Sequence, residues 1–232
     1  MVLEDLVGYG SQRQDAELPG AEMSLALEGL AAFQAQWWGG RLLEEQRWLA
    51  RLERFDADSC EAAVRRAARV FADVIGEGLF VGERFVRGQG GLYRRMDEAP
   101  RTFVHNDYRP DNLFFGHDGT VALIDFQASF CGSPAVDLAM LLVCGLSIEE
   151  RRAQETHLIE EYARRLEDHG VAYPPDRISE DYPAGLLYLW PRALVAFSLA
   201  DKSRSELYAY QSEFVRRTVA AFQDHDCISI LD

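Results

Sequence analysis

Apolar residues recur along most of the chain at the spacing of amphipathic helices, about three or four residues apart. One such stripe follows Pro19-Gly20, and a second covers residues 62–75. Further helices are predicted at 134–146, 149–169, 182–199 and 205–223. Gly170 is typical of a helix end, and the proline pair at 174–175 is typical of a loop. The chain is therefore predicted to be mainly helical.

Short β-prone runs appear only near the middle of the chain. Residues 113–115 and 121–124 are rich in β-formers, and residues 116–120 between them contain the Asp-Gly step of a tight turn. Antiparallel pairing of the two runs would return Asp125 to the neighbourhood of Asn112. The predicted fold class is α+β and mostly helical, with a short β-hairpin beside the candidate catalytic loop.

Polar side chains that suit phosphoryl transfer flank this hairpin. Asn112 and Asp125 offer oxygen ligands of the kind that Mg²⁺ prefers, and Asp107 lies five residues before Asn112. Phosphoryl transfer needs mainly positioning and charge neutralisation, so a base and two metal anchors form a minimal site. Asp107 is predicted to accept the proton of the acceptor hydroxyl, and Arg109 to stabilise the transferred phosphoryl group. His105 completes the catalytic candidates, although bracing the loop suits it better than titration.

These motifs resemble a known family. Residues 105–112, which read HNDYRPDN, resemble the catalytic loop of protein kinases. The Ile-Asp-Phe at 124–126 resembles the metal-binding unit of the same enzymes. Residues 134–139 resemble the Pro-x-x-Asp-Leu-Ala segment of aminoglycoside phosphotransferases and choline-kinase-like enzymes. The chain resembles the ecdysteroid-kinase-like subgroup of that family at residues 3–6, 30–38 and 181–182. The resemblance covers nearly the whole chain and is strongest at 103–142.

The resemblance implies a protein-kinase-like C-terminal lobe that uses ATP and Mg²⁺ to phosphorylate a hydroxyl of a small molecule. Asn112 and Asp125 would hold the metal, and the carboxylate of Asp137 would bond backbone groups of the catalytic loop. The adenine would bind at the hinge and beside the hairpin. The residues expected to contact the nucleotide are Glu4, Leu6, Phe114 and Ile124.

The chain also departs from the family pattern. Neither a glycine-rich loop nor the strand lysine of a preceding lobe can be found, and the single lysine, Lys202, lies far downstream. We therefore expect residues 1–8 to be the hinge remnant of a missing lobe and residues 9–232 to be the C-terminal lobe. Such a truncated form should bind nucleotide weakly and turn over little. Asn106 replaces the usual glycine, and Gln34 replaces the usual histidine of the subgroup.

Two glycine-rich runs could be mistaken for the phosphate-binding loop. Residues 76–82 follow a helical pattern rather than a strand, and Glu77 within them would repel phosphate. Residues 88–91 form the second run. We predict a helix end for the first run and a loop for the second.

Composition narrows the function classes. A chain of 232 residues with 48% hydrophobic content can bury one sizeable core. Nucleic acid and anionic membranes are not expected partners, because both need basic surfaces and the net charge is −14. The four cysteines form no Cys-x-x-Cys pair, and the sequence shows no signal peptide. We therefore expect a cytoplasmic location.

Two other functions remain open from the sequence. One is a non-catalytic, pseudokinase-like binding module, which would fit a chain that lacks the phosphate-binding loop and lysine of a kinase site. The other is metal-dependent hydrolysis, which would use His105, Asp107, Asp111 and Asp125 but lacks a second histidine cluster.

The partner of the predicted reaction is a small molecule with a hydroxyl group, whose identity the sequence does not give. A minority hypothesis assigns acceptor contact to residues of the downstream helices, where the resembled family builds its acceptor pocket. These residues are Asp181, Tyr182, Tyr188 and Trp190. The oligomeric state is not encoded in any recognisable pattern.

Overall fold

The computed structural model describes residues 6, 8–11, 17–39, 49–51, 57–75, 78–197 and 203–232. Its helices are α1 (Gly20–Gln36), α2 (Ala57–Val70), α3 (Ala72–Ile75), α4 (Gly78–Glu98), α5 (Ala135–Gly145), α6 (Ile148–Asp168), α7 (Pro175–Phe197) and α8 (Ser205–Asp224). Its strands are β1 (Tyr9–Ser11), β2 (Ala50–Arg51), β3 (Thr102–Val104), β4 (Leu113–Gly116), β5 (Val121–Leu123) and β6 (Phe130–Gly132). Short 3₁₀ turns cover Pro110–Asn112, Phe126–Ala128 and Cys227–Leu231.

The strands form two small sheets around the catalytic loop. In the first, β4 lies between β1 and β5 and is antiparallel to both, with Leu113 opposite Leu123. In the second, β6 lies between β2 and β3, parallel to β2 and antiparallel to β3. The hairpin β4–β5 confirms the predicted strand pair and turn. The candidate site therefore lies where β3 leads into β4 and where β5 leads into β6.

Helix α5 is the buried centre of the fold. Each of its residues is buried, and Asp137 is its only charged residue. Helices α1, α6, α7 and α8 all contact it, so it must be apolar on almost every side. Gly185 lets α7 approach closely, because a Cβ there would lie 2.5 Å from the carbonyl oxygen of Ala135. Among the described helices, none is both long and apolar enough to cross a membrane.

The ends of α6 follow from local sequence chemistry. The Ser147 side chain accepts a hydrogen bond from the backbone of Glu150, whose carboxylate accepts one from the backbone of Ser147. After the last turn, Gly170 adopts a φ of 83°, which glycine reaches without a steric cost. The predicted helix at 149–169 is confirmed to within one residue at each end.

Two predicted boundaries were wrong. Helix α7 begins at Pro175, seven residues before the predicted start at 182, because proline is compatible with the first turn of a helix. The apolar stripe at 62–75 is divided between α2 and α3, which meet at Phe71. The Phe71 ring is buried and stacks on Tyr208 of α8, with ring centroids 5.3 Å apart.

The predicted loop at residues 88–91 was also wrong, because these glycines lie inside α4. Gly88 and Gly91 allow the C-terminal 3₁₀ turn to pack directly on the helix backbone. A Cβ on Gly88 would lie 2.1 Å from the carbonyl oxygen of Leu231, and one on Gly91 would lie 2.2 Å from that of Ile230. This run serves packing, which explains why it resembles a phosphate loop only in composition.

Gly88→Ala should lower the free energy of unfolding by about 1–3 kcal/mol, because the added methyl must displace the backbone of the C-terminal turn. Gly90→Ala is the matched control, since the nearest atom to a Cβ there is a movable Arg94 side-chain nitrogen 3.8 Å away. It should be neutral or stabilising by up to about 1 kcal/mol. Urea unfolding measures both, and equal stabilities would contradict the packing of the C-terminal turn against Gly88.

Candidate active site

The catalytic loop is anchored from the protein interior by Asp137. Its Oδ2 accepts the backbone N–H of His105 at 2.8 Å, and its Oδ1 accepts that of Asn106 at 2.7 Å. The Asp137 side chain is fully buried on α5. A buried carboxylate needs such donors, because it has lost its hydration. The expected bond between Asp137 and the loop backbone is therefore present.

Gln34 of α1 extends this anchor to two further elements. Its Nε2 donates to Asp137 Oδ2 at 3.1 Å, and its Oε1 accepts a hydrogen bond from the hydroxyl of Tyr162 on α6. Its backbone oxygen accepts one from Thr102 of β3 at 2.6 Å. The sequence alone marked Gln34 only as a replacement for the usual histidine of the subgroup. A buried chain of hydrogen bonds thus joins α6, α1 and α5 to the catalytic loop.

Two residues of the site have left-handed backbone conformations. Asn106 has a φ of 64°, and Asp125 has a φ of 65°. Asparagine tolerates this region better than most residues, which explains why it can stand where the family usually has glycine. The Asn106 Nδ2 also donates to the carbonyl oxygen of Ala128 at 3.1 Å. Asn106 thereby ties the catalytic loop to the turn that follows Asp125.

His105 makes a second tie between the same two segments. Its imidazole is fully buried, and Nε2 lies 2.9 Å from the carbonyl oxygen of Ile124. The ring also contacts Phe126 edge-on, with centroids 4.8 Å apart. These contacts favour a bracing role for His105 over one in proton transfer.

Asp107 and Asn112 are held together at the entrance to the hairpin. Asn112 Nδ2 donates to Asp107 Oδ2 at 2.9 Å and to the Asp107 backbone oxygen at 2.8 Å. The Asp107 side chain is 14% exposed, so its carboxylate is partly accessible at the protein surface. The sequence-predicted base is thus fixed in orientation and still reachable.

Arg109 lies beside this carboxylate. Its Nε is 3.2 Å from Asp107 Oδ1 and 3.4 Å from Asp111 Oδ1. Its Nη1 donates to the phenol oxygen of Tyr210 on α8 at 2.8 Å. Burial opposes the charge of Arg109, but Tyr210 and the two carboxylates outweigh it and raise the pKa of the guanidinium. Arg109 is therefore a permanent cation next to the predicted base.

The donor set fits a magnesium ion. Both amide hydrogens of Asn112 are committed to Asp107, which leaves Asn112 Oδ1 as a ligand atom. The exposed Asp125 carboxylate accepts one hydrogen bond, from Gln127 Nε2 at 3.2 Å. The backbone N–H of Ile124 donates to the backbone carbonyl oxygen of Asn112 at 3.2 Å, which keeps the two ligand residues close to each other at the end of the hairpin. Two protein oxygens suit Mg²⁺, which usually keeps several waters and binds substrate phosphates.

In the described part of the chain, no three histidine, cysteine or acidic side chains form a group able to hold a metal. A site built from Asn112 and one carboxylate does not depend on such a group. The metal would complete its coordination with water and phosphate oxygens.

The predicted nucleotide contacts are distributed around the hairpin. Glu4 lies outside the described residues. The Leu6 carbonyl oxygen accepts a hydrogen bond from the backbone of Tyr9, at the start of the strand that pairs with β4. Phe114 of β4 is half-buried, and Ile124 is 37% exposed. The last three residues therefore lie on or next to the three strands of one sheet.

The downstream residues of the minority hypothesis are buried in the core. Asp181 accepts a hydrogen bond from the Tyr173 hydroxyl at 2.7 Å, and the Trp190 ring packs edge-on against Phe222. The whole set is at most 4% exposed: Asp181, Tyr182, Tyr188 and Trp190. Their burial argues against direct contact with an acceptor. Sequence reasoning instead missed Tyr210, for which no motif gave a signal.

Gln34→Leu should lower the free energy of unfolding by about 1–3 kcal/mol, because it removes a donor to Asp137 and the acceptor of the buried Tyr162 hydroxyl. Gln36→Leu is the matched control on the same helix, since the Gln36 side chain is exposed. It should change stability by less than about 0.5 kcal/mol. Denaturant unfolding of both variants measures the difference, and similar small losses would contradict the bracing role of Gln34.

Comparisons with known proteins agree with this fold. The model of the ecdysteroid kinase-like family matches residues 1–171. A choline/ethanolamine kinase family protein from Mesorhizobium loti has a similar structure, with a TM-score of 0.52 and 16% identity over 97% of this chain and 70% of that one. Plasmodium vivax ethanolamine kinase gives a TM-score of 0.54 and 14% identity over 97% of this chain and 65% of that one.

A curated relative matches over a shorter stretch. The probable serine/threonine protein kinase IREH1 of Arabidopsis thaliana is 32% identical over 84 residues, which are 35% of this chain. The chain spans only 6% of that protein. The solved structures are under 25% identical and show the fold, which is mostly helical and protein-kinase-like. Because the family model covers well over half of the sequence, the chain belongs to the ecdysteroid kinase-like family.

Proposed function

We propose that the chain is an ATP- and Mg²⁺-dependent phosphotransferase that acts on a hydroxyl group of a small molecule. The observation that carries this proposal is the grouping of Asp107, Asn112 and Asp125 at the ends of one hairpin. Asp107 is oriented by Asn112 and faces the cation of Arg109. Membership in the ecdysteroid kinase-like family supports the same class of reaction.

In the proposed reaction, the acceptor oxygen forms a bond to the γ-phosphorus as the bond to the β-bridging oxygen breaks. Asp107 orients the acceptor hydroxyl and receives its proton, while ADP leaves with the electron pair of the broken bond. Asn112 Oδ1 and Asp125 would hold Mg²⁺, which supplies charge neutralisation when bound. Arg109 adds a fixed positive charge near the transferred group.

The nucleotide and domain assignments are parts of the same proposal. We assign residues 1–8 to the hinge and residues 9–232 to the C-terminal lobe, with the adenine near Glu4, Leu6, Phe114 and Ile124. The pairing of β1 with β4 supports this arrangement, because it brings the hinge side of the chain to the hairpin. The single lysine of the chain comes after α7 in sequence, so it cannot be the strand lysine of the family. We therefore expect weak nucleotide binding and slow turnover.

The acceptor is proposed from the names of the relatives. Ethanolamine, choline and an ecdysteroid are the first hydroxyl compounds to test. The cytoplasm is the proposed location, and the described ranges include all four cysteines without a disulfide between them. A pseudokinase-like binding module is the second candidate, which the absence of a family-type lysine from the sequence favours.

Asp107→Asn should reduce phosphoryl transfer at least about 100-fold, because the amide cannot accept the hydroxyl proton. Transfer is measured with γ-labelled ATP and the three acceptors, at protein concentrations similar to those of the acceptor. Asp118→Asn is the control, since Asp118 lies in the exposed turn of the same hairpin and bonds only Thr120 among the contacts seen. Retained transfer in Asp107→Asn would contradict the role of Asp107, whereas tight MgATP binding without any transfer would support the binding module.

Asp125→Asn should weaken the binding of Mn²⁺, used as a probe for Mg²⁺, at least about tenfold in the presence of ATP. The cause is the loss of the one carboxylate ligand of the proposed metal pair. Electron paramagnetic resonance of free Mn²⁺ measures the affinity. Asp118→Asn again controls for net charge, and equal affinities in the two variants would contradict the metal site.

A further inference from the structure

Two separate parts of the chain hold the Arg109 guanidinium. The catalytic loop provides the carboxylates of Asp107 and Asp111, both of which face Nε. Helix α8 provides the phenol oxygen of Tyr210, which accepts from Nη1. Tyr210 lies 101 residues from Arg109 in sequence. The guanidinium thus has partners at two of its nitrogens, Nε and Nη1.

Tyr210 suits this task because it brings no charge. Burial raises the pKa of its phenol and so does Cys144, while the neighbouring Arg109 opposes the shift. The phenol is therefore neutral at physiological pH. A neutral acceptor can hold Nη1 without competing with the two carboxylates for the positive charge.

The orientation of Arg109 decides how much of Asp107 remains available. In the observed geometry, Nε lies 3.2 Å from Asp107 Oδ1, while Nη1 is committed to the phenol oxygen of Tyr210. Guanidinium and carboxylate groups prefer two parallel hydrogen bonds when both are free to turn. A released Arg109 would therefore tend to cover both oxygens of Asp107, which would block the acceptor hydroxyl and withdraw the cation from the phosphoryl group.

We propose that Tyr210 is a positioning residue for phosphoryl transfer, which holds the Arg109 guanidinium in place beside Asp107 by accepting the hydrogen bond from Nη1. This inference rests on the proposed function. It assigns to α8 a role in the site beyond packing. Tyr210 acts through Arg109 and is not itself a group that touches the reacting atoms.

The experiment compares Tyr210→Phe with Tyr208→Phe in the full chain. Each variant loses one phenol hydroxyl from α8, but the Tyr208 hydroxyl bonds the Val70 backbone oxygen instead of the site. Nuclear magnetic resonance follows the Nε–H signal of Arg109, assigned with Arg109→Lys, in the absence of nucleotide. Tyr210→Phe should shift this signal and speed its hydrogen exchange about tenfold, whereas Tyr208→Phe should leave it unchanged.

Kinetics supply the functional measurement. Tyr210→Phe should lower kcat about tenfold and leave the KM for MgATP within about twofold, because the arginine is misplaced without loss of nucleotide contacts. Tyr210→Gln, which keeps a neutral acceptor oxygen, should restore part of kcat and also serves if Tyr210→Phe does not fold.

An unchanged Arg109 signal, or an unchanged kcat in both Tyr210 variants, would overturn the positioning role. The failure of the proposed function looks different. In that case the wild-type chain transfers no phosphate to any acceptor, although the Arg109 signal, measured without nucleotide, still responds to Tyr210→Phe.

Discussion

The carboxylate of Asp137 is the interaction on which the candidate site depends. It lies fully buried in an otherwise apolar helix, where an ionised group is costly unless donors replace its lost water. The backbone N–H groups of His105 and Asn106 are two of those donors, so the helix fixes the position of the catalytic loop. The cost of burying Asp137 is thereby linked to the position of Asp107, which comes next in the chain.

The rest of the site follows from that anchor by short steps along the backbone. Asn106 turns the chain through a left-handed conformation and bonds the segment after Asp125, while His105 bonds the residue before it. The two ends of the hairpin are therefore tied to each other at three places, counting the bond between Ile124 and Asn112. Such ties fix the relative positions of the proposed base and the proposed metal ligands before any substrate binds, and positioning is the main contribution a protein makes to phosphoryl transfer.

Local chemistry allowed the sequence to predict the hairpin, the extent of α6 and the grouping of Asn112 with Asp125, because each depends on residues close together in the chain. The contacts that were missed join distant segments. Gln34 and Asp137 are 103 residues apart, and Arg109 and Tyr210 are 101 apart. Gly88 was misassigned for the same reason, since its role appears only when the C-terminal turn packs on α4. Periodicity predicts which face of a helix is buried but not which polar group it will meet.

The balance of charge explains why a metal belongs to the proposed mechanism. Among the described residues, the carboxylates of Asp107, Asp111 and Asp125 lie at the site, and the cation of Arg109 pairs with the first two, in a chain whose net charge is −14. A nucleotide polyphosphate without a metal would meet net repulsion there, and Arg109 cannot offset it because two carboxylates already share its charge. A divalent cation held by Asn112 and Asp125 would reverse the sign of this interaction. The acidic character of the chain thus favours the metal complex of ATP as the nucleotide of the proposed reaction.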